Sequence, residues 1–298
     1  MIQLNGMTTE TRNPKTLELD AMTTGEILRV MNEEDQGVAV AVGKVLDKIE
    51  KAVELIVASF ESEGRLIYIG AGTSGRLGVL DAVECPPTFG VSFEQVVGLI
   101  AGGEKAFVKA VEGAEDSKDL AVEDLKALNL TAKDTVVGIA ASGRTPYVIG
   151  GLDYATSVGA STVAVACNKD AQISSHAQVA IEVVPGPEVL TGSTRLKSGT
   201  AQKLVLNMLS TVSMIRVGKV YKNLMVDVQQ TNEKLRVRAQ NIVMEVTGCE
   251  REVASKYLEM ANGEVKVAIT MIILNCDREE ALERLKQAKG HIRKAIAE

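Results

Sequence analysis

Two short loops of similar sequence place glycine and hydroxyl residues at the start of predicted helices. The first reads Gly-Ala-Gly-Thr-Ser-Gly-Arg at residues 70–76, and the second reads Ala-Ala-Ser-Gly-Arg-Thr at residues 140–145. A helix N-terminus offers free N–H groups and a partial positive charge, glycine lets the backbone approach an anion, and Ser or Thr adds O–H donors. Two such loops suit one phosphate ester. The predicted phosphate-binding residues are Gly72, Thr73, Ser74, Ser142, Gly143, Arg144 and Thr145.

The first loop also satisfies the dinucleotide-binding pattern G-x-G-x-x-G, but two observations weigh against that interpretation. The pattern requires an acidic residue at the end of the next strand, whereas Glu94 precedes that strand. The recurrence of Ser-Gly-Arg in the second loop is also not a feature of dinucleotide folds. No G-K-[ST] follows either loop, so an ATP-binding loop is not predicted. The remaining alternative for both loops is a pair of ordinary capped turns. For Arg144 alone, a structural ion pair is the alternative to phosphate binding.

Two carboxylates are candidates for proton transfer. Glu84 closes the helix predicted from Gly75, and Pro86 and Pro87 are predicted to stop that helix. An acidic side chain is unfavourable at a helix C-terminus, which suits a general acid. The second candidate, Glu115, lies just before or within the helix predicted over residues 112–128, and taken alone the sequence there favours a solvated surface acid.

The elements that must position these residues alternate between strand and helix. Uniformly apolar runs predict five buried strands, at residues 66–69, 95–100, 134–140, 161–166 and 179–184. Strands of this kind, separated by helices, indicate a three-layer α/β fold with a parallel sheet covered on both faces. Helical periodicity over residues 23–62, which Gly37 and Gly43 can split, and over residues 200–217 adds flanking helices.

The C-terminal part is predicted to be entirely helical and contains a repeat. After about residue 222 the strand pattern stops, and Cys-Glu-Arg-Glu at 249–252 recurs as Cys-Asp-Arg-Glu at 276–279, an offset of 27 positions. Gly263 and Gly290 follow the same offset. Each copy predicts a helix, a glycine turn and a second helix. We therefore predict two domains, 1–222 with the sheet and 223–298 as a small helical packing or dimerisation module.

Composition limits the classes of partner. The net charge of −6 disfavours nucleic acid and membrane surfaces, and the absence of Trp disfavours base stacking. No apolar run reaches the length of a membrane span, and no signal-peptide pattern is present. Two histidines and four cysteines without a C-x-x-C pair predict free thiols in a cytoplasmic protein, with no metal site and no cofactor.

Several strings resemble one family of phosphosugar enzymes. The two loops are similar to those of the sugar isomerase (SIS) domain. Residues 70–78, 84–89 and 111–116, with 192–203 and 11–14, resemble the N-acetylmuramic acid 6-phosphate etherases. The one departure noted is Ser198, where the family pattern has Ala.

This resemblance implies removal of D-lactate from N-acetylmuramic acid 6-phosphate during amino sugar recycling or catabolism. It implies that Glu84 protonates the departing lactate and that Glu115 is the second catalytic carboxylate. It also implies a homodimer that needs neither metal nor nucleotide. Two alternatives remain open: an SIS-fold aldose–ketose isomerase, and a non-catalytic sensor similar to the glucokinase regulatory protein. The presence of both carboxylates favours the etherase.

Overall fold

The computed structural model describes residues 7–109, 111–230 and 233–297. Its contacts divide the chain into two compact units. The first unit comprises Met1–Val83 and Glu94–Ser210, and the second comprises Glu84–Phe93 and Thr211–Glu298. The boundary predicted at residue 222 stays a prediction.

A five-stranded parallel sheet forms the centre of the first unit. Its strands are β1 (Leu66–Gly70), β2 (Val96–Ile100), β3 (Thr135–Ala140), β4 (Ser161–Ala166) and β5 (Val179–Glu182), in the order β2-β1-β3-β4-β5. Every residue of β1 and β3 is buried, as expected for strands covered on both faces. β2 lies on one side of β1, and the strands that follow it in the chain, β3 to β5, lie on the other side. The strand order therefore reverses between β1 and β3.

Helices surround this sheet. They are α1 (Thr24–Gly43), α2 (Leu46–Glu61), α3 (Gly72–Phe89), α4 (Lys105–Val108), α5 (Lys118–Ala127), α6 (Pro146–Val158) and α7 (Lys197–Arg216). The helix predicted over residues 23–62 is split directly after Gly43. Ile67, Ile69 and Val136 of the sheet share a buried cluster with apolar residues of α5 and α6, and α2 packs against the sheet as well. The predicted α/β fold with flanking helices is confirmed.

The structure corrects two predicted helix boundaries. Pro86 and Pro87 lie inside α3, which continues to Phe89, so the prediction that they end the helix is wrong. Each proline removes one backbone N–H but keeps a helical φ, and burial of Cys85 and Phe89 holds the segment in place. Glu84 therefore lies in the helix interior, and the placement at the helix C-terminus does not hold. The predicted helix 112–128 begins only at Lys118.

The second unit is largely helical. Its helices are α8 (Glu233–Thr247), α9 (Arg251–Met260), α10 (Val265–Leu274), α11 (Arg278–Gln287) and α12 (Ile292–Ala295), and their buried faces form one apolar core. Both copies of the repeat turn at a glycine with positive φ, 83° at Gly263 and 79° at Gly290. A short hairpin, β6 (Val220–Tyr221) with β7 (Leu224–Met225), corrects the prediction that strands stop by residue 222. Lys222 turns it with a φ of 53°.

Within the described parts of the chain, no helix combines the length and apolar character that crossing a membrane requires.

Candidate functional site

The two predicted phosphate loops lie next to each other in the first unit. One connects β1 to α3 and the other connects β3 to α6, and β1 and β3 are neighbours with Gly70 opposite Ile139. In open parallel sheets, ligands bind beyond the carboxyl ends of the strands where the strand order reverses. The sheet order therefore brings both loops to the position where a ligand crevice is expected.

The first loop leads directly into α3. Gly72 opens the helix with a φ of 52°, and the N–H groups of the first helical turn have no intrahelical acceptor. Ser74 is 7% exposed, and its hydroxyl donates to Oε1 of Gln202 on α7 at 3.0 Å. Thr73 is partly exposed. The loop thus combines backbone N–H groups that have no intrahelical acceptor with one hydroxyl that is hydrogen-bonded to Gln202 of α7.

The second loop is held by a side chain that the sequence did not single out. Asn168 follows β4, is 3% exposed, and donates from Nδ2 to the carbonyl oxygens of Ala141 at 3.3 Å and Ser142 at 3.1 Å. Its Oδ1 accepts from the backbone N–H of Thr9 at 3.2 Å. Gly143 has a φ of 75°. Asn168 therefore fixes the backbone of the second loop and attaches the N-terminal segment to it.

Glu115 meets the second loop at the start of α6. Its Oε1 accepts a hydrogen bond from Thr145 Oγ1 at 3.0 Å, and its carbonyl accepts from Tyr147 N at 3.0 Å. The Thr145 hydroxyl makes no capping bond to α6, whose first residue, Pro146, has no N–H to satisfy. Glu115 itself is exposed. The structure thus joins a solvent-accessible carboxylate to a predicted phosphate-binding residue.

The arginines of the two loops have different surroundings. Arg76 donates from Nε to Phe107 O at 2.7 Å and from Nη2 to Ala106 O at 2.8 Å. Its guanidinium thus binds the carbonyls of α4, which precedes the segment that carries Glu115. Arg144 is partly exposed beside Thr145.

Glu84 belongs to the second unit, whereas Glu115 and both loops belong to the first. Glu84 lies within α3, and its side chain is exposed. Three residues earlier, Asp81 is a largely buried carboxyl of the first unit that receives hydrogen bonds from Tyr68 at 2.8 Å and Ser210 at 3.1 Å. Burial raises the pKa of Asp81 to about 6, although both hydrogen bonds act in the opposite direction.

A partly buried cluster around Glu34 joins two further strings of the resemblance, residues 11–14 and 192–203. Asn13 donates to Glu34 at 3.0 Å, and Lys197 forms an ion pair with the same carboxylate. Burial alone raises the pKa of Glu34, but the hydrogen bonds and charges of Lys197 and Lys15, with Asn13, lower it to about 2. Ser198, the departure from the family pattern, donates to the fully buried Glu188 at 2.9 Å.

Comparisons with known proteins agree with this architecture. Residues 48–156 match the glucokinase regulatory protein N-terminal SIS domain, residues 114–212 match the SIS domain, and residues 243–272 match a UBA-like domain. The last match falls within the helical second unit.

Curated relatives extend the match to most of the chain. An N-acetylmuramic acid 6-phosphate etherase from Geobacillus sp. (strain WCH70) is 66% identical over 269 residues, which is 90% of this chain and 91% of the relative. The chain belongs to the N-acetylmuramic acid 6-phosphate etherase family. The etherase of Bacillus cereus (strain G9842) is 65% identical over 90% of this chain and 92% of its own length.

Solved structures support the fold of this etherase-family chain. A phosphoheptose isomerase from Neisseria gonorrhoeae has a TM-score of 0.51 at 18% identity, and the match covers 64% of this chain and 98% of that one. A phosphoheptose isomerase from Francisella tularensis has the same TM-score at 14% identity, over 65% of this chain and 100% of that one. At this identity the likeness shows the fold alone. Among the described residues, no three His, Cys, Asp or Glu side chains cluster in a way that could hold a metal ion.

Proposed function

We propose that this chain cleaves the lactyl ether of N-acetylmuramic acid 6-phosphate, giving N-acetylglucosamine 6-phosphate and D-lactate, in the recycling or catabolism of cell-wall amino sugars. The observation that carries the proposal is the hydrogen bond between Thr145 and Glu115, in a chain 66% identical to a named etherase. It attaches a carboxylate to a loop suited to a phosphate ester.

The two loops bind the phosphate in this proposal. The N–H groups at the start of α3 and the hydroxyls of Thr73 and Ser74 act from one side, and Ser142 and Gly143 act from the other, with Arg144 and Thr145 completing the set. Both helices point their N-termini towards the carboxyl ends of neighbouring strands, so their partial positive charges favour the same anion. The phosphate thereby fixes the sugar relative to the Glu115 carboxylate.

The chemistry is an elimination followed by addition of water. Opening of the sugar ring exposes an aldehyde, which acidifies the hydrogen on carbon 2. Glu115 takes this proton, the electron pair forms a carbon 2–carbon 3 double bond, and the carbon 3–oxygen bond breaks. Glu84 gives a proton to the departing lactate oxygen and then assists water in adding to carbon 3, while carbon 2 regains a proton. Each step needs a positioned acid or base, and these roles come to Glu84 and Glu115 from the family resemblance.

We further propose that the protein is a cytoplasmic homodimer. The support lies in apolar side chains that the chain leaves exposed on one long helix: Leu28 and Val40 of α1 are 62% and 64% exposed. Covering such side chains with a second copy would remove apolar surface from water.

The test is release of D-lactate from N-acetylmuramic acid 6-phosphate by the purified chain without added cofactor. We expect stoichiometric lactate, and a loss of about 100-fold or more in kcat for Glu84→Gln and for Glu115→Gln. Glu112→Gln, at an exposed acid three residues from Glu115, is the matched control and should keep wild-type kcat. Isomerised sugar phosphate without lactate would replace the etherase by an isomerase, and binding without turnover would replace it by a sensor.

A further inference from the structure

A glutamine behind the first phosphate loop has an unsatisfied amide. Gln202 of α7 is 1% exposed, and its Oε1 accepts the hydroxyl hydrogen of Ser74 at 3.0 Å. Its Nε2 is buried and has no hydrogen-bond partner among the residues that the structure describes. A buried N–H without a partner is unfavourable by about 1–3 kcal/mol. Such a group needs an explanation, particularly beside a predicted ligand site.

The direction of the Ser74 hydrogen bond matters for phosphate binding. A serine hydroxyl has one hydrogen, and here that hydrogen is donated to Gln202, so it is not available to a ligand at the loop. A carboxamide has nearly the same shape when its oxygen and nitrogen exchange places. In the reversed orientation, Nε2 donates to Ser74 Oγ across the same distance, and the Ser74 hydrogen becomes available to an anion.

We propose that Gln202 is a positioning residue for the substrate phosphate, acting through Ser74. Without an anion, Ser74 donates to Gln202 and Nε2 remains unsatisfied. When phosphate binds, the amide reverses, Nε2 donates to Ser74, and Ser74 donates to a phosphate oxygen. Because Nε2 is buried, it does not meet the phosphate itself. This inference rests on the proposed phosphate site at the first loop.

The amide chemistry separates Gln202 from side chains of similar shape. Glutamate at this position can only accept while it is ionised, so it would keep the Ser74 hydrogen and prevent donation to phosphate. Methionine neither donates nor accepts strongly, so Ser74 would be freed but not oriented. The second loop has no equivalent arrangement, since Thr145 donates to Glu115, an acceptor that cannot reverse while it is ionised.

The experiment is a double-mutant cycle on the affinity for N-acetylglucosamine 6-phosphate, measured by calorimetry, with N-acetylglucosamine as the unphosphorylated control. We expect Ser74→Ala and Gln202→Glu each to weaken binding about tenfold. If Gln202 acts through Ser74, the double variant should be about as weak as the weaker single variant, because the second change has nothing left to remove. A double variant about 100-fold weaker than wild type, the product of the two single effects, would overturn the proposal and point to simple charge repulsion.

A pH series supplies a second readout. A protonated glutamate can donate to Ser74, so the affinity of Gln202→Glu relative to wild type should recover as the pH falls. A relative affinity that does not change with pH contradicts the proposal.

If Gln202→Glu fails to fold, Gln202→Met takes its place. We expect this substitution to weaken binding about threefold when Ser74 is present and to cause no further weakening in the Ser74→Ala variant. Failure of the wild-type protein to bind the phosphorylated sugar would contradict the phosphate site, whereas binding with additive variants contradicts only the role of Gln202.

Discussion

The two loops that share the tripeptide Ser-Gly-Arg are built differently. In the first, Gly75 lies within α3, and a Cβ there would come within 2.5 Å of the carbonyl oxygen of Gly70, so glycine permits close packing of the helix on its strand. In the second, Gly143 has a φ of 75° and supplies a left-handed conformation ahead of α6. The shared tripeptide therefore reflects a shared place at the reversal of the sheet, and the backbone conformations differ.

The two loops also differ in the partners of their hydroxyl groups. Ser74 is bonded to Gln202 of a neighbouring helix, whereas Thr145 is bonded to the Glu115 carboxylate. The first loop is thus connected to packing and the second to a group that we assign to the chemistry. Both loops are therefore suited to the same anion, but only the second is also bonded to a carboxylate that we assign to the chemistry.

The largest effect should come from substituting the left-handed glycine of the second loop. In Gly143→Ala the new Cβ would lie 2.4 Å from the Cβ of Ala171, which is too close, and alanine would also have to adopt the positive φ. We expect a loss of about 3–4 kcal/mol in the free energy of unfolding. Gly72→Ala in the first loop is the matched control, because its φ is 52° but nothing lies within 4 Å of the Cβ, and about 1–2 kcal/mol is expected. Equal losses for the two variants in denaturant titrations would show that the close contact with Ala171 adds nothing to the effect of the positive φ.

The helix after the first loop, α3, carries a largely buried acid that has no counterpart on α6, the helix after the second loop. Asp81 on α3 corresponds in the 68-residue offset of the loops to Ile149 on α6. The pKa of Asp81 is raised from 3.8 to about 6, so the folded state binds the proton more tightly than the unfolded state. Its contribution to stability is therefore present below pH 4 and is lost as the pH rises through 6.

We expect the free energy of unfolding to fall by about 2–3 kcal/mol from this group between pH 4 and pH 7. Asp81→Asn should remove that slope, measured by denaturant unfolding across the pH range, because the amide does not titrate. Asp119→Asn, at an exposed position on α5, should retain it. A slope that persists in Asp81→Asn means that another group is responsible for it.

Much of the fold could be predicted from local pattern. Strands β1 to β5 begin and end within two residues of the predicted runs, because each run is predominantly apolar. The prediction that all five are buried holds fully for β1 and β3, whereas the edge strands β2 and β5 are only partly buried. The end of α3 could not be predicted, since Pro86 and Pro87 are tolerated only where tertiary packing fixes the segment. Local rules cannot weigh that packing.

The site was predictable to a smaller extent. The loops themselves follow from glycine and hydroxyl chemistry, but Glu115 looked like a surface acid and was selected only by the family resemblance. Its bond to Thr145 spans 30 positions, and the bond from Ser74 to Gln202 spans 128. Such pairs depend on the strand order, which brings distant segments to one edge of the sheet, and Asn168 and Gln202 carry no local signal of that role.

Asn168 supports the second loop and also holds the N-terminal segment at Thr9. Asn168→Ala removes the donors to Ala141 and Ser142 and leaves the Thr9 N–H without its acceptor. We expect a loss of about 2 kcal/mol in the free energy of unfolding, together with weaker binding of N-acetylglucosamine 6-phosphate. Asn32→Ala, which removes only an exposed bond to Gln36, is the control and should change neither quantity measurably. Normal sugar phosphate affinity in Asn168→Ala would mean that the second loop keeps its shape without this side chain.

The smallest effect expected concerns the two arginines, which test whether the loops differ in function as well as in shape. Arg76→Met removes two bonds to the α4 carbonyls and should cost about 1 kcal/mol of stability while leaving sugar phosphate affinity unchanged. Because α4 precedes the Glu115 segment, the same variant should lower kcat for lactate release. Arg144→Met should instead weaken sugar phosphate binding. If Arg76→Met weakens binding and Arg144→Met does not, the guanidinium that meets the phosphate belongs to the first loop, and Arg144 is not a phosphate-binding residue.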